Sequence, residues 1–443
     1  MSEFFIKAAQ LILSLSFLIV LHELGHFLPA KWFKTRVEKF YLFFDPYFSL
    51  FKIKRGDTEY GIGWIPLGGY VKIAGMIDES NDKEFLNREP EPWEFRSKPA
   101  WQRLVIMIGG VTVNAILGVI IYAGIMFYYG ETYLPLANAK YGIMVEDSIG
   151  LKMGLQNGDK IVSVQKVPVR SFTDVYKEIL LNEAQTIQVI RNNEPLEINL
   201  KDDYRAAMIK AQNFISPRIP FTICDFAPGS VAKKAGVKID DKVVAINGVK
   251  TEYFDEARTQ LLANKDKDIT LTVQRGNAFT DIKFHLPETG MLGIIRASAN
   301  HYFPYQVTQY SLLESFPKGL EKAYSTFENY LKQFKLIFSP TVKGYESVGG
   351  FGRMGGLFSP TWDWEHFWNI TAFFSVVLAI MNILPIPALD GGHVIFLLYE
   401  MITRRKPNEK FMEYAQYTGM MLLFGLMLYA NGNDLYRFVA EKF

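Results

Sequence analysis

Long apolar runs without charge alternate along this chain with segments of ordinary polarity. Residues 104–130 contain no charged side chain, and neither do residues 414–433. A third run, 367–399, is interrupted only by Asp390 and His393. A fourth lies near the N-terminus, where residues 8–21 are uncharged and the run continues through His22, Glu23 and His26 to Ala30. About 20 apolar residues carry a helix across a bilayer, so the pattern predicts four transmembrane helices. The first run also has the length of a secretory signal. No small-x-small cleavage site follows it and only Lys7 precedes it, so it reads as a span.

Basic residues orient the spans. Lys31, Lys34, Arg36 and Lys39 follow the first run, and Arg96, Lys98 and Arg103 precede the second. Arg404, Arg405, Lys406 and Lys410 lie between the third and the fourth. Loops rich in lysine and arginine stay in the cytoplasm. Both termini and residues 131–365 are then expected on the external side.

That external stretch repeats itself. A shift of 82 residues lays 148–182 on 230–264 without a gap, matching Gly154 to Gly236, Asp159 to Asp241, Phe172 to Phe254 and Leu180 to Leu262. Each copy predicts a short helix, a glycine turn, a β-branched strand and an amphipathic helix. Two copies are too few for a solenoid and fit two tandem globular modules, set at 131–214 and 215–300. In 301–363, the apolar spacing of Leu312, Phe316, Leu320, Tyr324, Phe327, Leu331 and Phe334 predicts an amphipathic helix over 305–338. That helix is expected either on the membrane surface or against the modules. The glycine-rich stretch 344–356 reads as a flexible or re-entrant loop. On the cytoplasmic side, 47–75 alternates as strands around an Arg55-Gly56-Asp57 turn, with Pro66 and Gly68-Gly69 breaking the run.

Composition narrows the classes. The 443 residues carry a net charge of +2, with 49% hydrophobic and 21% charged residues, which excludes a disordered chain and a dedicated nucleic-acid binder. Cys224 is the only cysteine, so there is no internal disulfide framework and no multi-cysteine zinc module.

The chemistry concentrates in His22-Glu23-Leu24-Gly25-His26. Histidines four apart share one helix face and can hold one Zn²⁺, and Glu23 beside them can take a proton from a metal-bound water. Ionisable groups inside a span are costly and usually functional. A zinc site of this kind needs a third protein ligand. Asp390 is the only acid in the third apolar run, and His393 is the competing candidate. Around them, Pro385, Pro387, Gly391 and Gly392 break helical hydrogen bonding. Such unwinding at membrane depth is tolerated where the backbone is buried in protein or lines a wet cavity.

His-Glu-Leu-Gly-His in the first span, Asn382-x-x-Pro385-x-Pro387-x-Leu-Asp390-Gly-Gly in the third, the Pro66-Leu67-Gly68-Gly69-Tyr70-Val71 segment and the repeated insert together resemble the site-2 protease family. The likeness is to its bacterial regulator-of-sigma-E type. It covers essentially the whole chain. The stretch 230–248 resembles a bacterial PDZ domain well; the first copy departs from that pattern at Met153 and Gln165-Lys166. The resemblance implies a helical membrane protein with four spans, a cytoplasmic-side β-hairpin and two inserted external PDZ domains. It implies zinc-dependent intramembrane cleavage of single-span substrates such as anti-sigma factors already cut once outside the membrane, and of leftover signal peptides. It assigns His22, His26 and Asp390 to zinc and Glu23 to catalysis. Asn382, Pro385, Pro387 and the segment Pro66, Leu67, Gly68, Gly69 and Tyr70 are assigned to substrate. One departure is Gly110-Val111-Thr112-Val113-Asn114, where the family carries proline after the glycine; a straighter second helix is expected, with Asn114 kept. Expected partners are pre-trimmed membrane proteins and lipid, not nucleic acid. With no transit peptide in the sequence, the expected location is a bacterial inner membrane, with the site towards the cytoplasm. The competing reading from another class is a non-catalytic PDZ membrane scaffold, which would predict a degraded metal motif. A zinc transporter has no evident use for Glu23.

Overall fold

The computed structural model describes residues 2–76, 89–200, 204–210 and 213–440. It opens on the 31-residue helix α1 (Ser2–Trp32), followed by strands β1 (Val37–Phe44), β2 (Phe51–Arg55), β3 (Thr58–Ile62) and β4 (Ile65–Ile73), then helix α2 (Ala100–Tyr128). Strand β5 (Glu131–Tyr133) leads into β6 (Ile143–Val145), α3 (Ser148–Lys152), β7 (Lys160–Val164), β8 (Val167–Pro168), α4 (Phe172–Leu181), β9 (Thr186–Arg191), β10 (Glu194–Asn199), α5 (Arg205–Lys210) and β11 (Ile215–Pro217). The same order returns in β12 (Ile223–Phe226), α6 (Val231–Lys234), β13 (Lys242–Ile246), β14 (Val249–Lys250), α7 (Phe254–Ala263), β15 (Lys267–Arg275), β16 (Ala278–Leu286) and β17 (Ile294–Arg296). The chain ends through α8 (Ala299–Tyr302), β18 (Gln306–Thr308), α9 (Leu312–Ile337), α10 (Phe351–Gly356), α11 (Trp364–Ile383), α12 (Asp390–Thr403) and α13 (Glu409–Ala440). Two compact units result: 1–130 with 309–337 and 348–443, and 131–308 with 338–347.

In the first unit, α1, α2 and α11 are long and apolar enough to cross a membrane. The expected fourth span lies in the 32-residue α13, which falls short of the same hydropathy threshold. Its polar residues turn inward. Gln416 bonds the Ala388 amide, Asn431 the Phe351 amide, and Asp434 the Gly350 and Arg353 amides. Its apolar side chains Phe411, Met421, Leu422 and Phe424 stay exposed. The spans meet through small and hydroxylated residues, as helices do where lipid supplies no hydrophobic drive. Ser14 and Thr371 share a 2.9 Å hydrogen bond, and Ser375 donates to the Asn114 carbonyl at 2.7 Å.

Several expectations need correction. The third apolar run is two helices, because residues 384–389 leave the helix and α12 restarts at Asp390. Gly391 and Gly392 do not break it: they form the first turn of α12, where a Cβ on either would strike the folded-back backbone of 383–387. The sheet expected on the cytoplasmic side is larger than a hairpin over 47–75. It has the order β2-β3-β1-β4 and recruits β1 from outside the expected range. Pro66 and Gly68-Gly69 lie inside β4 rather than interrupting it. β4 is an edge strand, where a missing N–H is tolerated. Part of the glycine-rich stretch folds as α10. Helix α9 packs its small face, Ser315, Gly319 and Ala323, on α2 and α11, with Gly319 against Ala123. α2 runs unbroken past Val111.

In the second unit both copies build the same four-stranded sheet, β8-β7-β9-β10 and β14-β13-β15-β16. The first copy runs to Pro217, slightly past the expected boundary, because β11 pairs antiparallel with β6 as β17 does with β12. The repeat extends to polar detail. Arg191 grips Asp159 through Nε and Nη2 at 2.7 and 2.8 Å, and Arg275 grips Asp241 at 2.7 Å through each of the same two atoms. In each copy the aspartate also accepts a turn amide, from Gln156 or Lys238 at 2.8 Å. Burial alone would raise the Asp241 carboxyl; the Arg275 hydrogen bonds, the Lys238 amide and the nearby positive charges outweigh it and hold the group below the usual carboxylate range. A group lowered on folding stabilises fully above its unfolded pKa, about 3.9, and loses that contribution as pH falls through its folded value. Asp241→Asn is therefore expected to cost about 1–3 kcal/mol near pH 7. In thermal unfolding, its deficit against wild type should shrink as pH falls below the carboxylate range. A deficit independent of pH would contradict the pairing.

Candidate metal centre

The centre begins with a helix contact that excludes side chains. Gly25 of α1 lies against Gly109 and Gly110 of α2 so closely that a Cβ on Gly25 would sit 2.5 Å from the Gly109 carbonyl oxygen. The two helices approach backbone to backbone one turn beyond His22. A Cβ on Gly110 would lie 2.7 Å from Cε1 of His22 and would also strike Nε2 of His26. The glycine therefore makes the space that both imidazoles occupy.

Those imidazoles are oriented from behind. Nδ1 of His26 lies 2.9 Å from the Ile106 carbonyl, which can only accept, so Nδ1 carries a proton and the neutral ring turns a bare Nε2 forward. The Asn114 side-chain amide lies 3.1 Å from Nδ1 of His22 through its Nδ2, an orientation that leaves Oδ1 buried and unpaired. Turned over, the same amide accepts from Nδ1–H of His22 and frees that ring's Nε2 as well. Both Nε2 atoms lie 3.3 Å from Oδ2 of Asp390 and 3.3 Å from each other. Oδ2 is buried with no hydrogen-bond partner among the described residues. Two bare imidazole nitrogens and a carboxylate oxygen, all within 4.8 Å of one another, form a donor set that fits one divalent cation. His393 lines the adjoining cavity but lies outside this group.

The triad opens onto a cavity of about 490 Å³ that also takes in Glu23, Gly69, Tyr70, Val71, Asp45 and Gln416. The Glu23 carboxylate lies against the backbone amide of Val71. A Cβ on Gly69 would meet Ile19 at 2.7 Å, so glycine lets β4 approach α1. The Gly63 amide bonds the Leu42 carbonyl, which turns Leu42 towards β3 and its neighbour Tyr41 towards β4. Tyr41 faces Tyr70 in register, so the N–H and C=O groups of Gly69 and Val71 point off the open edge, into the cavity. Tyr70 stacks between Tyr41 and Phe44 and donates to Asp45 Oδ1 at 2.7 Å. Burial first, and then Asp45, push its phenol well above the usual range, which keeps it a neutral donor.

The remaining expected residues lie elsewhere. Pro66, Leu67 and Gly68 belong to β4, and of these Pro66 and Gly68 do not line the cavity. Asn382 is in the last turn of α11, outside it. Pro385 and Pro387 line a separate groove against Tyr414, Thr418 and Gly419 of α13.

A family model, peptidase family M50, matches residues 10–426. The chain belongs to peptidase family M50, the site-2 protease family. Among its M50 relatives is a protein of Neisseria meningitidis serogroup A named as a zinc metalloprotease, NMA0084. It is 30% identical over 96% of this chain and 98% of its own length. Metalloprotease MmpA of Caulobacter vibrioides is 26% identical over 100% of this chain and 98% of its own length. A Vibrio cholerae protein, also named as a zinc metalloprotease, is 27% identical over 96% and 97%.

Sequence alone missed Gln416 in this M50 chain, and gave Gly110 and Asn114 no role. A signal for Gly110 existed in the glycine of the histidine motif and the Gly109-Gly110 pair of α2, which are what two helices need to touch. Gly110→Ala is expected to lower retained metal at least about tenfold, read by metal analysis of purified protein. Gly124→Ala, on the same helix with open space around it, should leave retention unchanged. Equal metal content in both variants would contradict the packing argument.

Proposed function

We propose that this chain is a zinc-dependent endopeptidase that cuts single-span membrane proteins within the bilayer, in regulated proteolysis of anti-sigma-factor-like substrates and of leftover signal peptides. One observation carries the reading: a two-histidine, one-carboxylate donor set, a second carboxylate outside that set and a strand edge share one cavity beside the end of an apolar helix. His22, His26 and Asp390 hold the zinc, with Ile106 and Asn114 fixing the two rings. Bound there, zinc supplies a Lewis acid for the scissile carbonyl and lowers the pKa of a coordinated water towards about 7.

Glu23 does the proton work. Its carboxylate takes the proton of the attacking water and later delivers it to the leaving amide nitrogen. A helical substrate hides its carbonyls in i to i−4 bonds and must unwind before attack. The Gly69 N–H and C=O and the Val71 C=O, which β1 leaves unpaired, replace those bonds by strand addition, with Glu23, held at the Val71 amide, beside the captured backbone. Pro66, Leu67 and Gly68 extend that edge, and Tyr70 holds it to the Asp45 loop. A substrate contact through Pro385 and Pro387 runs along the second groove, and Asn382 in the last turn of α11 adds to it.

The membrane is a bacterial inner membrane, α13 is the fourth span, and the site faces the cytoplasm. This rests on the basic residues around 31–39, 96–103 and 404–410. The duplicated insert is a PDZ pair on the external side that excludes substrates with bulky ectodomains, so a first cut elsewhere must precede this one. Lipid is the other partner.

Glu23→Gln is expected to keep zinc and to lower cleavage of a reconstituted single-span substrate by about 10²–10⁴-fold. Asp390→Ala should lose zinc, and His393→Ala should keep it. Wild-type turnover by Glu23→Gln would remove Glu23 from the chemistry. Zinc loss from His393→Ala alone would move the third ligand.

A further inference from the structure

Gln416 belongs to neither motif, yet it is tied to the centre. It sits on α13, is 7% exposed, and borders the cavity together with Asp390. Its Oε1 accepts the backbone N–H of Ala388 at 3.1 Å. Ala388 has φ +79°, a left-handed conformation that a residue with a Cβ keeps only where its surroundings impose it. Ala388 is two residues ahead of Asp390, in the turn that starts α12. One turn further along α13, Gly419 lies against the Pro387 carbonyl with no room for a Cβ. One face of α13 therefore clamps the strained residue and the one before it.

We propose that Gln416 is a positioning residue for the third metal ligand. By holding the Ala388 amide it keeps the 385–389 turn in the form that aims the Asp390 carboxylate at His22 and His26. The inference rests on the reading of those three residues as the zinc site. It makes α13 part of the metal centre, although α13 supplies no ligand. Nothing in the motif pattern marks the residue, because its partner is a backbone amide and its own helix lies outside both motifs.

The test uses full-length protein in detergent, loaded with zinc and mixed with excess chelator. The readout is the rate of zinc release. Gln416→Met keeps the length of the side chain and removes the acceptor; release is expected to quicken by about 10–100-fold, the usual cost of losing an outer hydrogen bond to a metal site. Gln416→Glu keeps an acceptor oxygen and should restore slow release. With Co²⁺ in place of zinc, the visible spectrum should change in Gln416→Met and return in Gln416→Glu, which a general loss of stability would not produce. If Gln416→Met does not fold, Gly419→Ala presses on the same turn and should speed release in the same way. Wild-type release rates in Gln416→Met, or in Gly419→Ala where that variant stands in, would overturn the role of Gln416. A wild-type protein that binds no zinc would instead overturn the zinc-site reading beneath it.

Discussion

The rest of the structure depends on one contact without side chains, between Gly25 of α1 and the Gly109-Gly110 pair of α2. Each imidazole needs a helix face to project from, a partner behind its Nδ1 and open space ahead of its Nε2. A backbone-to-backbone crossing supplies all three at once. It brings the Ile106 carbonyl and the Asn114 amide of α2 within hydrogen-bond reach of the two rings, and Gly110 leaves the volume they fill. In lipid, small residues let helices approach and polar groups hold them there. The M50 chain uses the same contact to pack two spans and to build half of its centre.

The other half arrives through broken backbone. Where α11 ends and α12 begins, the chain turns back on itself inside the bundle and presents Asp390 from the first turn of a new helix. On the opposite side of the cavity, β4 leaves the N–H and C=O groups of Gly69 and Val71 unpaired by β1. Unpaired backbone is expensive away from water and persists where protein or a wet cavity surrounds it. The proposed strand capture would use the groups there that no other part of the chain has taken.

What the sequence made legible was what local spacing encodes. Two histidines four apart must share a helix face, and one acid in a long apolar run must have a reason to be there. The duplicated insert was legible because both copies keep the aspartate that caps a turn and receives an arginine. Non-local pairing was not legible. β1 shows no clean alternation, since both its faces are partly covered, and its place is fixed by β3 and β4. Helix α9 misled in an instructive way. Its periodic aromatic stripe suggests burial, yet Phe316, Leu320 and Tyr324 are exposed and the small residues make the contact. Hydropathy does not separate a face turned to protein from one turned to lipid. Gln416 acts through a backbone amide, which leaves no mark in one sequence.

The central claim is the identity of the donor set, and X-ray absorption at the zinc edge of the purified full-length protein tests it most directly. The account predicts a shell of nitrogen and oxygen only, with the outer-shell scattering of two imidazoles. Three imidazoles, or a sulfur in the shell, would contradict it.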